Sequence, residues 1–393
     1  MKKYNFDELI DRRHTDCVKY DHIPEKYQTE DYLPMWVADM DFRTPRFVID
    51  AINNRLKQGI FGYTKPSEQY YESITKWLKH RFDFEVKADE LHFLPGVVPG
   101  IFDIIQCFTN IGDKVMVQTP VYFPFFKVTN ASSRESISAP LKIADNGYMS
   151  MDFEKIEEQI ADCSLFLLCN PHNPGGIVWD VEDLKRLAHI CNKNNVLVVS
   201  DEIHASMVLS PSKHTPFAMV SEEARINSIT LMAPSKAFNI PGLITSYAVV
   251  LEQTIREKFF QYIQENDLAM GNVFSFDATC ACYSEEGENW LNQMLAYLQN
   301  NIDYVFDFLK ENCPKIGGMR PEASFLIFLD NRKLGLPQEE LIDFYNDEAR
   351  LYLNDGTAFG PQGEGFMRMN IAAPFSVIQR AMKQLKEAYD KRF

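Results

Sequence analysis

The run Val196-Leu197-Val198-Val199-Ser200-Asp201-Glu202-Ile203-His204 sets four apolar residues, three of them β-branched, directly ahead of a cluster of ionisable side chains. The apolar part is too short for a helix and suits a strand buried on both faces. The pattern recurs on either side. Leu165-Phe166-Leu167-Leu168-Cys169 runs into Asn170-Pro171-His172-Asn173-Pro174-Gly175-Gly176, and Ile229-Thr230-Leu231-Met232 runs into Pro234-Ser235-Lys236-Ala237-Phe238-Asn239. Asp180 to Asn195 carries a helical pattern between two of these runs, and Val115-Met116-Val117 and Tyr247 to Leu251 read as further buried strands. Short strands alternating with helices predict an α/β chain whose mostly parallel sheet is covered on both faces. Ligands of open α/β sheets bind beyond the carboxyl ends of the strands, so polar clusters at three strand ends are expected to converge on one crevice.

Outward from this centre the pattern changes. Residues 1–45 look irregular, punctuated by Pro24, Pro34 and Pro45. A helix is predicted from Thr44-Pro45, with threonine as cap and proline in the first turn, ending at Gly59. A second is predicted from a Ser67 cap to about Phe82. Beyond the sheet, Trp290, Leu291, Met294, Leu295, Leu298, Ile302, Val305, Phe306 and Leu309 keep near-helical spacing, which predicts a long helix over Glu288 to Asn312. Strands at Phe325 to Leu329 and Phe366 to Ile371 and a closing helix from Val377 follow. At 393 residues the chain exceeds what one compact core usually holds. The expected division is a large domain over 46–287 and a smaller α/β domain over 288–393, completed by residues 1–45.

Composition removes several function classes. With 46% hydrophobic and 24% charged residues the chain is an ordinary globular one. A net charge of −15 without basic runs makes nucleic acid an unexpected partner. No apolar run approaches the ~18 residues of a membrane span, so no membrane partner is expected. The opening Met1-Lys2-Lys3-Tyr4-Asn5-Phe6-Asp7-Glu8 turns acidic before any apolar stretch, unlike a signal peptide. The eight cysteines show no C-x-x-C spacing, and several lie in apolar runs, as free thiols of a cytoplasmic protein would. There is no H-E-x-x-H to suggest a catalytic metal, no G-x-G-x-x-G for a dinucleotide and no P-loop.

The residue types at the three strand ends point to one chemistry. Asp201 can serve as a buried carboxylate beside a cationic heterocycle. Lys236, if buried, loses much of its preference for the charged form, and a neutral amine forms imines. Asn173 offers both a donor and an acceptor. A lysine Schiff base with an aspartate partner to the pyridine nitrogen is the protein's part in pyridoxal phosphate chemistry. In this order and spacing, Asn-Pro-His-Asn-Pro-Gly, Ser-Asp-Glu-Ile-His and Ser-Lys-x-Phe-Asn resemble the signature of fold-type-I pyridoxal phosphate enzymes of the class I/II aminotransferase superfamily. Leu33-Pro34-Met35-Trp36-Val37-Ala38-Asp39-Met40-Asp41-Phe42, Phe61-Gly62-Tyr63-Thr64, Pro95-Gly96-Val97-Val98-Pro99, Thr119-Pro120-Val121-Tyr122 and Met367-Arg368-Met369-Asn370-Ile371-Ala372 resemble the MalY/PatB-type cystathionine β-lyase subgroup.

The resemblance implies a PLP-dependent transferase fold, with a mostly parallel seven-stranded sheet in the large domain. It implies pyridoxal 5′-phosphate held by Lys236, which then moves the Cα proton. Asp201 would keep the pyridine nitrogen protonated, Asn173 would hydrogen-bond O3′, and Tyr122 would stack on the ring. His204 would either donate to O3′ or stand behind Asp201. The amides of Val97 and Val98, at a helix start that favours anions, and the Ser235 hydroxyl would take the phosphate. Tyr63 would reach it from the second subunit of a homodimer. Arg368, with Asn173 and the backbone at Val37 and Ala38, would bind the substrate carboxylate. Two departures from the aminotransferase pattern stand out: Ile244 replaces an arginine that grips the phosphate, and His204 replaces a tyrosine. The implied reaction is carbon–sulfur β-elimination on L-cystathionine or a related cysteine S-conjugate. An aminotransferase and a non-catalytic regulatory protein on the same fold are the rival expectations.

Overall fold

The computed structural model describes residues 2–393. Its largest sheet has seven strands: β1 (Leu91–Leu94), β2 (Lys114–Val117), β3 (Glu135–Ser138), β4 (Cys163–Cys169), β5 (Leu197–Asp201), β6 (Ser228–Met232) and β7 (Ser246–Val249), in the spatial order β1-β7-β6-β5-β4-β2-β3. The neighbours from β6 to β3 run parallel, whereas β7 is antiparallel to both β6 and β1. The expected mostly parallel sheet is therefore present, and it is mixed through one reversed strand. Alternate residues of β4 enter opposite layers. Leu165, Leu167 and Cys169 pack in one apolar cluster with Ile101 and Val199, and Phe166 and Leu168 pack in another with Met116 and Val198. Burial on both faces is why the strands read as continuous apolar runs rather than alternating ones.

Helices close both layers. α1 spans Arg46–Leu56, α2 Glu68–Phe82, α3 Val97–Phe108 and α4 Val181–Lys193. The Ser67 hydroxyl accepts from Tyr70 N and starts α2 as its sequence predicts, and Asp180 caps α4 by accepting from Glu182 N. Thr44 does not cap α1. Pro45 occupies the cap position without a side-chain bond, and the Thr44 hydroxyl donates to Asn239 O at 3.2 Å. The loop carrying Lys236 has drawn that hydroxyl away, a tertiary contact overriding a local one.

After the sheet, α5 (Glu285–Asn312) runs 28 residues, about 42 Å at 1.5 Å per residue. A four-stranded antiparallel sheet follows, built from β8 (Gly317–Gly318), β9 (Leu326–Asp330), β10 (Asn354–Asp355) and β11 (Phe366–Asn370) in the order β8-β9-β11-β10, and α6 (Phe375–Arg392) closes the chain. The N-terminal segment joins this part: Leu33–Pro34 pairs in parallel with Leu351–Tyr352. Leu33 and Met35 share an apolar cluster with Leu295, Leu298, Ile327 and Met369. This packing brings residues 36–42 across the carboxyl ends of the large sheet. No helix among the described residues is long and apolar enough to cross a membrane.

Candidate active site

Beyond β1 the chain turns at Gly96, whose φ of +117° suits only glycine; a Cβ there would lie 3.2 Å from Pro99 Cδ. Gly96 N donates to Ser246 Oγ at 3.1 Å, and that hydroxyl donates to Leu94 O at 3.0 Å, fixing the turn to β7. α3 then begins at Val97, so its first amides have no carbonyl one turn back and point out of the helix end. They border a cavity of about 250 Å³. Val97, Val98, Tyr122, Asn173, Asp201, His204, Ser235 and Lys236, all expected from the sequence, line it together.

Lys236 is half-buried in the loop after β6, and its Nζ donates to the carbonyl of Ala38 at 2.7 Å. Burial first, and then the nearby charge of Arg368, lowers its pKa to about 8. Asp201 is the last residue of β5, paired in register with Cys169 of β4, so the carboxylate lies within the sheet rather than on a loop. Its Oδ1 accepts from Ile203 N at 3.1 Å, and burial raises its pKa to about 7. His204, with its ring edge-on to Phe325, is pushed by burial down to about 3, and its Nδ1 is buried without a partner. A neutral imidazole with an unsatisfied nitrogen at a cavity wall is a group awaiting a ligand.

Arg368, in the middle of β11, enters from the opposite side. Its Nη1 donates to Asn173 Oδ1 at 3.1 Å, and its Nη2 donates to Trp36 O at 2.8 Å and Asn354 Oδ1 at 2.5 Å. Every one of these acceptors is neutral, Nε is buried without a partner, and burial lowers the pKa to about 10. A buried guanidinium lacking a counter-ion is poised for an anion.

Residues 36–42 bridge these two sides. Asn370 Nδ2 donates to Val37 O and Asp39 O at 2.6 Å each, and Asn239 exchanges bonds with both Met40 N (2.9 Å) and Met40 O (2.9 Å). Ala38 faces the cavity, whereas Val37 lines the adjoining cleft. Tyr63 is not brought to this cavity: it is 97% exposed, beside the exposed Ile60 and Phe61. Ile244 borders the cavity with φ +49°, a left-handed conformation that is strained for a β-branched residue. Asn239, Asn354 and Asn370 were assigned no role from the sequence. Asn239 lies in the quoted Ser-Lys-x-Phe-Asn stretch, but the partners of all three are set by the tertiary fold.

The site tests well for pyridoxal 5′-phosphate. The glycine-formed helix start suits a phosphate, Asp201 suits a cationic ring nitrogen, the orphan His204 Nδ1 and Asn173 suit a phenolic oxygen, and the depressed amine suits a carbonyl carbon.

Comparison with known proteins agrees. The sequence profile of the family "Aminotransferase class I and II" matches residues 30–385. Cystathionine beta-lyase PatB of Bacillus subtilis (strain 168) is 40% identical over 386 residues, covering 98% of this chain and 99% of that protein. The crystal structure of cystalysin from Treponema denticola, which contains a pyridoxal 5′-phosphate cofactor, superposes with a TM-score of 0.95 at 32% identity, over 99% of this chain and 100% of that one. The PLP-bound C-S lyase from Staphylococcus hominis gives 0.89 at 32% identity, with 99% and 100% coverage. With its profile match, its full-length relatives and its strand-end site all in agreement, this chain belongs to the aminotransferase class I and II family.

Proposed function

We propose that the protein is a pyridoxal-phosphate-dependent carbon–sulfur β-lyase, converting L-cystathionine or a related cysteine S-conjugate and water to a thiol, pyruvate and ammonia. The observation that carries this reading is full-length 40% identity to a cystathionine β-lyase on a chain whose amine and carboxylate line one cavity, with the Arg368 guanidinium bonded to Asn173 of its wall. Asp201 would face the pyridine nitrogen, Asn173 and His204 the phenolic oxygen, Tyr122 the ring face, and Val97, Val98 and Ser235 the phosphate. Bound there, the cofactor supplies an electron sink conjugated to the substrate's Cα.

The chain's own residues do the rest. Arg368 takes the substrate α-carboxylate, exchanging neutral acceptors for a charged one, with Asn173 and the backbone at Val37 and Ala38 closing the site. Lys236, its pKa lowered to about 8, has a much larger neutral fraction near neutral pH than an ordinary lysine and acts as the base that removes the Cα proton. The sulfur leaves as a thiolate, a leaving group that needs little acid assistance. Arg368→Lys keeps the charge but loses the planar fork. It is expected to lower kcat/KM about 100-fold, chiefly through KM, in steady-state assays.

The division of the chain at residues 45 and 287 is proposed on the same footing, supported by the two separate sheets. A homodimer in which Tyr63 reaches the partner's phosphate site is supported by the exposure of Ile60, Phe61 and Tyr63. A cytoplasmic location is supported by eight cysteines that are all free.

The test is incubation of the cofactor-loaded protein with L-cystathionine and no keto acid. Equal release of pyruvate and free thiol is the expected result. No release would replace this reading with the aminotransferase one, because a transaminase requires the keto acid.

A further inference from the structure

Residues 36–41 form a strap that is gripped from outside the cavity. The acceptor of the Lys236 amine, Ala38 O, belongs to the peptide that joins Ala38 to Asp39. The Asp39 side chain therefore anchors one end of that peptide. Among the described residues, its hydrogen bonds come from Arg12 alone: Nη1 donates to Oδ1 at 3.0 Å and Nη2 to Oδ2 at 2.6 Å. Such a two-pronged pairing fixes direction as well as distance. The same Nη1 donates to Met40 O at 3.2 Å and to Asp41 Oδ1 at 2.7 Å, so one guanidinium holds three consecutive residues of the strap.

Lys19 completes the cluster. Its Nζ donates to Asp41 Oδ2 at 2.6 Å and stands 3.9 Å from Asp39 Oδ1, and its carbonyl accepts from Trp36 Nε1 at 3.0 Å. The Lys19 side chain is 1% exposed and that of Arg12 22%, so solvent screens these pairs weakly. Two cations meet two carboxylates, and the charges balance only while all four are present. Arg12 has no part in the chemistry above. It lines the adjoining cleft, which Ala38 and Lys236 also border.

The ionisable groups around Lys236 come from several elements. Asp201 and His204 belong to β5 and the turn after it, Cys169 to β4, Tyr122 to the segment after β2, and Arg368 to β11. On the cleft side stand Asp39 and Asp41 of the strap, Cys17, and Arg43, which pairs with Glu8. Burial and then Arg368 lower the Lys236 pKa, and the charge of Asp39 acts in the opposite sense.

We propose that Arg12 is a positioning residue for Lys236: its fork on Asp39 fixes the peptide whose carbonyl holds the amine, and its charge cancels the carboxylate next to that peptide. This inference rests on the reading that Lys236 is the base. Without Arg12 the cluster keeps two carboxylates and one cation, and the excess negative charge beside the amine favours its protonated form. A merely structural Arg12 would affect folding alone, and removing a second charge would not repair its loss.

The experiment treats the full-length, cofactor-free protein with trace acetic anhydride over a series of pH values and reads acetylation of Lys236 by mass spectrometry. The wild-type midpoint is expected near 8. Arg12→Met should raise it by about one pH unit, leaving about tenfold less neutral amine at a fixed pH below it. The acid limb of kcat in the cofactor-loaded protein should move the same way. Adding Asp39→Asn to Arg12→Met restores the charge balance and should return the midpoint to the wild-type value. Asp39→Asn alone leaves an excess cation and should lower the midpoint, and it serves if Arg12→Met fails to fold. One midpoint shared by the wild type and every folded variant, or a raised midpoint that Asp39→Asn does not repair, overturns the role of Arg12 alone. A wild-type Lys236 that titrates like an ordinary lysine overturns its assignment as the base and this inference together.

Discussion

Replacing Lys236 with alanine is expected to lower kcat/KM for L-cystathionine by at least about 10⁴-fold, the upper range for loss of a positioned general base. The size of the effect follows from the site. No other lysine lines the cavity, and the nitrogen is aimed there by a bond to a backbone carbonyl, which neither neutralises it nor competes as a base. The neighbouring candidates cannot substitute. On the proposed reading His204, held neutral by burial, would face the phenolic oxygen, and Asp201 the ring nitrogen. The visible band of the loaded protein should change with the activity. A mutant that retains even a hundredth of the activity, with cofactor bound, would remove Lys236 from its role.

The same burial leaves a pH signature in the cofactor-free protein. An amine with a folded pKa of about 8 against an ordinary 10.5 binds fewer protons in the folded than in the unfolded chain between those values. Its contribution to stability therefore rises with pH across that window. Urea melts at a series of pH values should show a rise for the wild type that Lys236→Ala lacks.

Replacing Asp201 with alanine is expected to cost about 10³-fold in kcat, the scale for losing a preorganised charge in a water-excluded site. The carboxylate belongs to the last pair of the β4–β5 ladder, and one oxygen is held by Ile203 N. Without it a bound cofactor's ring nitrogen would lack an anionic partner, and the electron sink it supplies would weaken. Asp201→Asn, which keeps the shape and removes the charge, should lose nearly as much. A kcat within tenfold of wild type for Asp201→Asn, with full cofactor occupancy, would show that the charge is not needed.

Much of the site was legible because its chemistry is local in sequence. Asn173, Asp201, Ser235 and Lys236 each fall within a few residues of a strand end, and a strand buried on both faces announces itself as an apolar run. Boundaries were less legible. β5 reaches Asp201 although Ser200 and Asp201 are polar, because both are paired across the ladder to β4 and β6. The N-terminal cap of α1 failed at Thr44 because a hydroxyl takes the acceptor that tertiary structure offers, here Asn239 O.

The sequence by itself determined the alternation of strands and helices, the three polar strand ends and the identity of the amine, because these rest on periodicity and on short motifs. Only the tertiary structure decided what stands opposite them. Ala38 O meets Lys236 across 198 residues, and Trp36 O meets Arg368 across 332. Backbone carbonyls look alike at every position, so no residue type signals such a partner. The neutral company of Arg368 and the lone nitrogen of His204 are likewise products of packing. Each depends on which groups the fold leaves within 3 Å or so of one another, and that is set by the docking of the small sheet and residues 36–42 onto the large one.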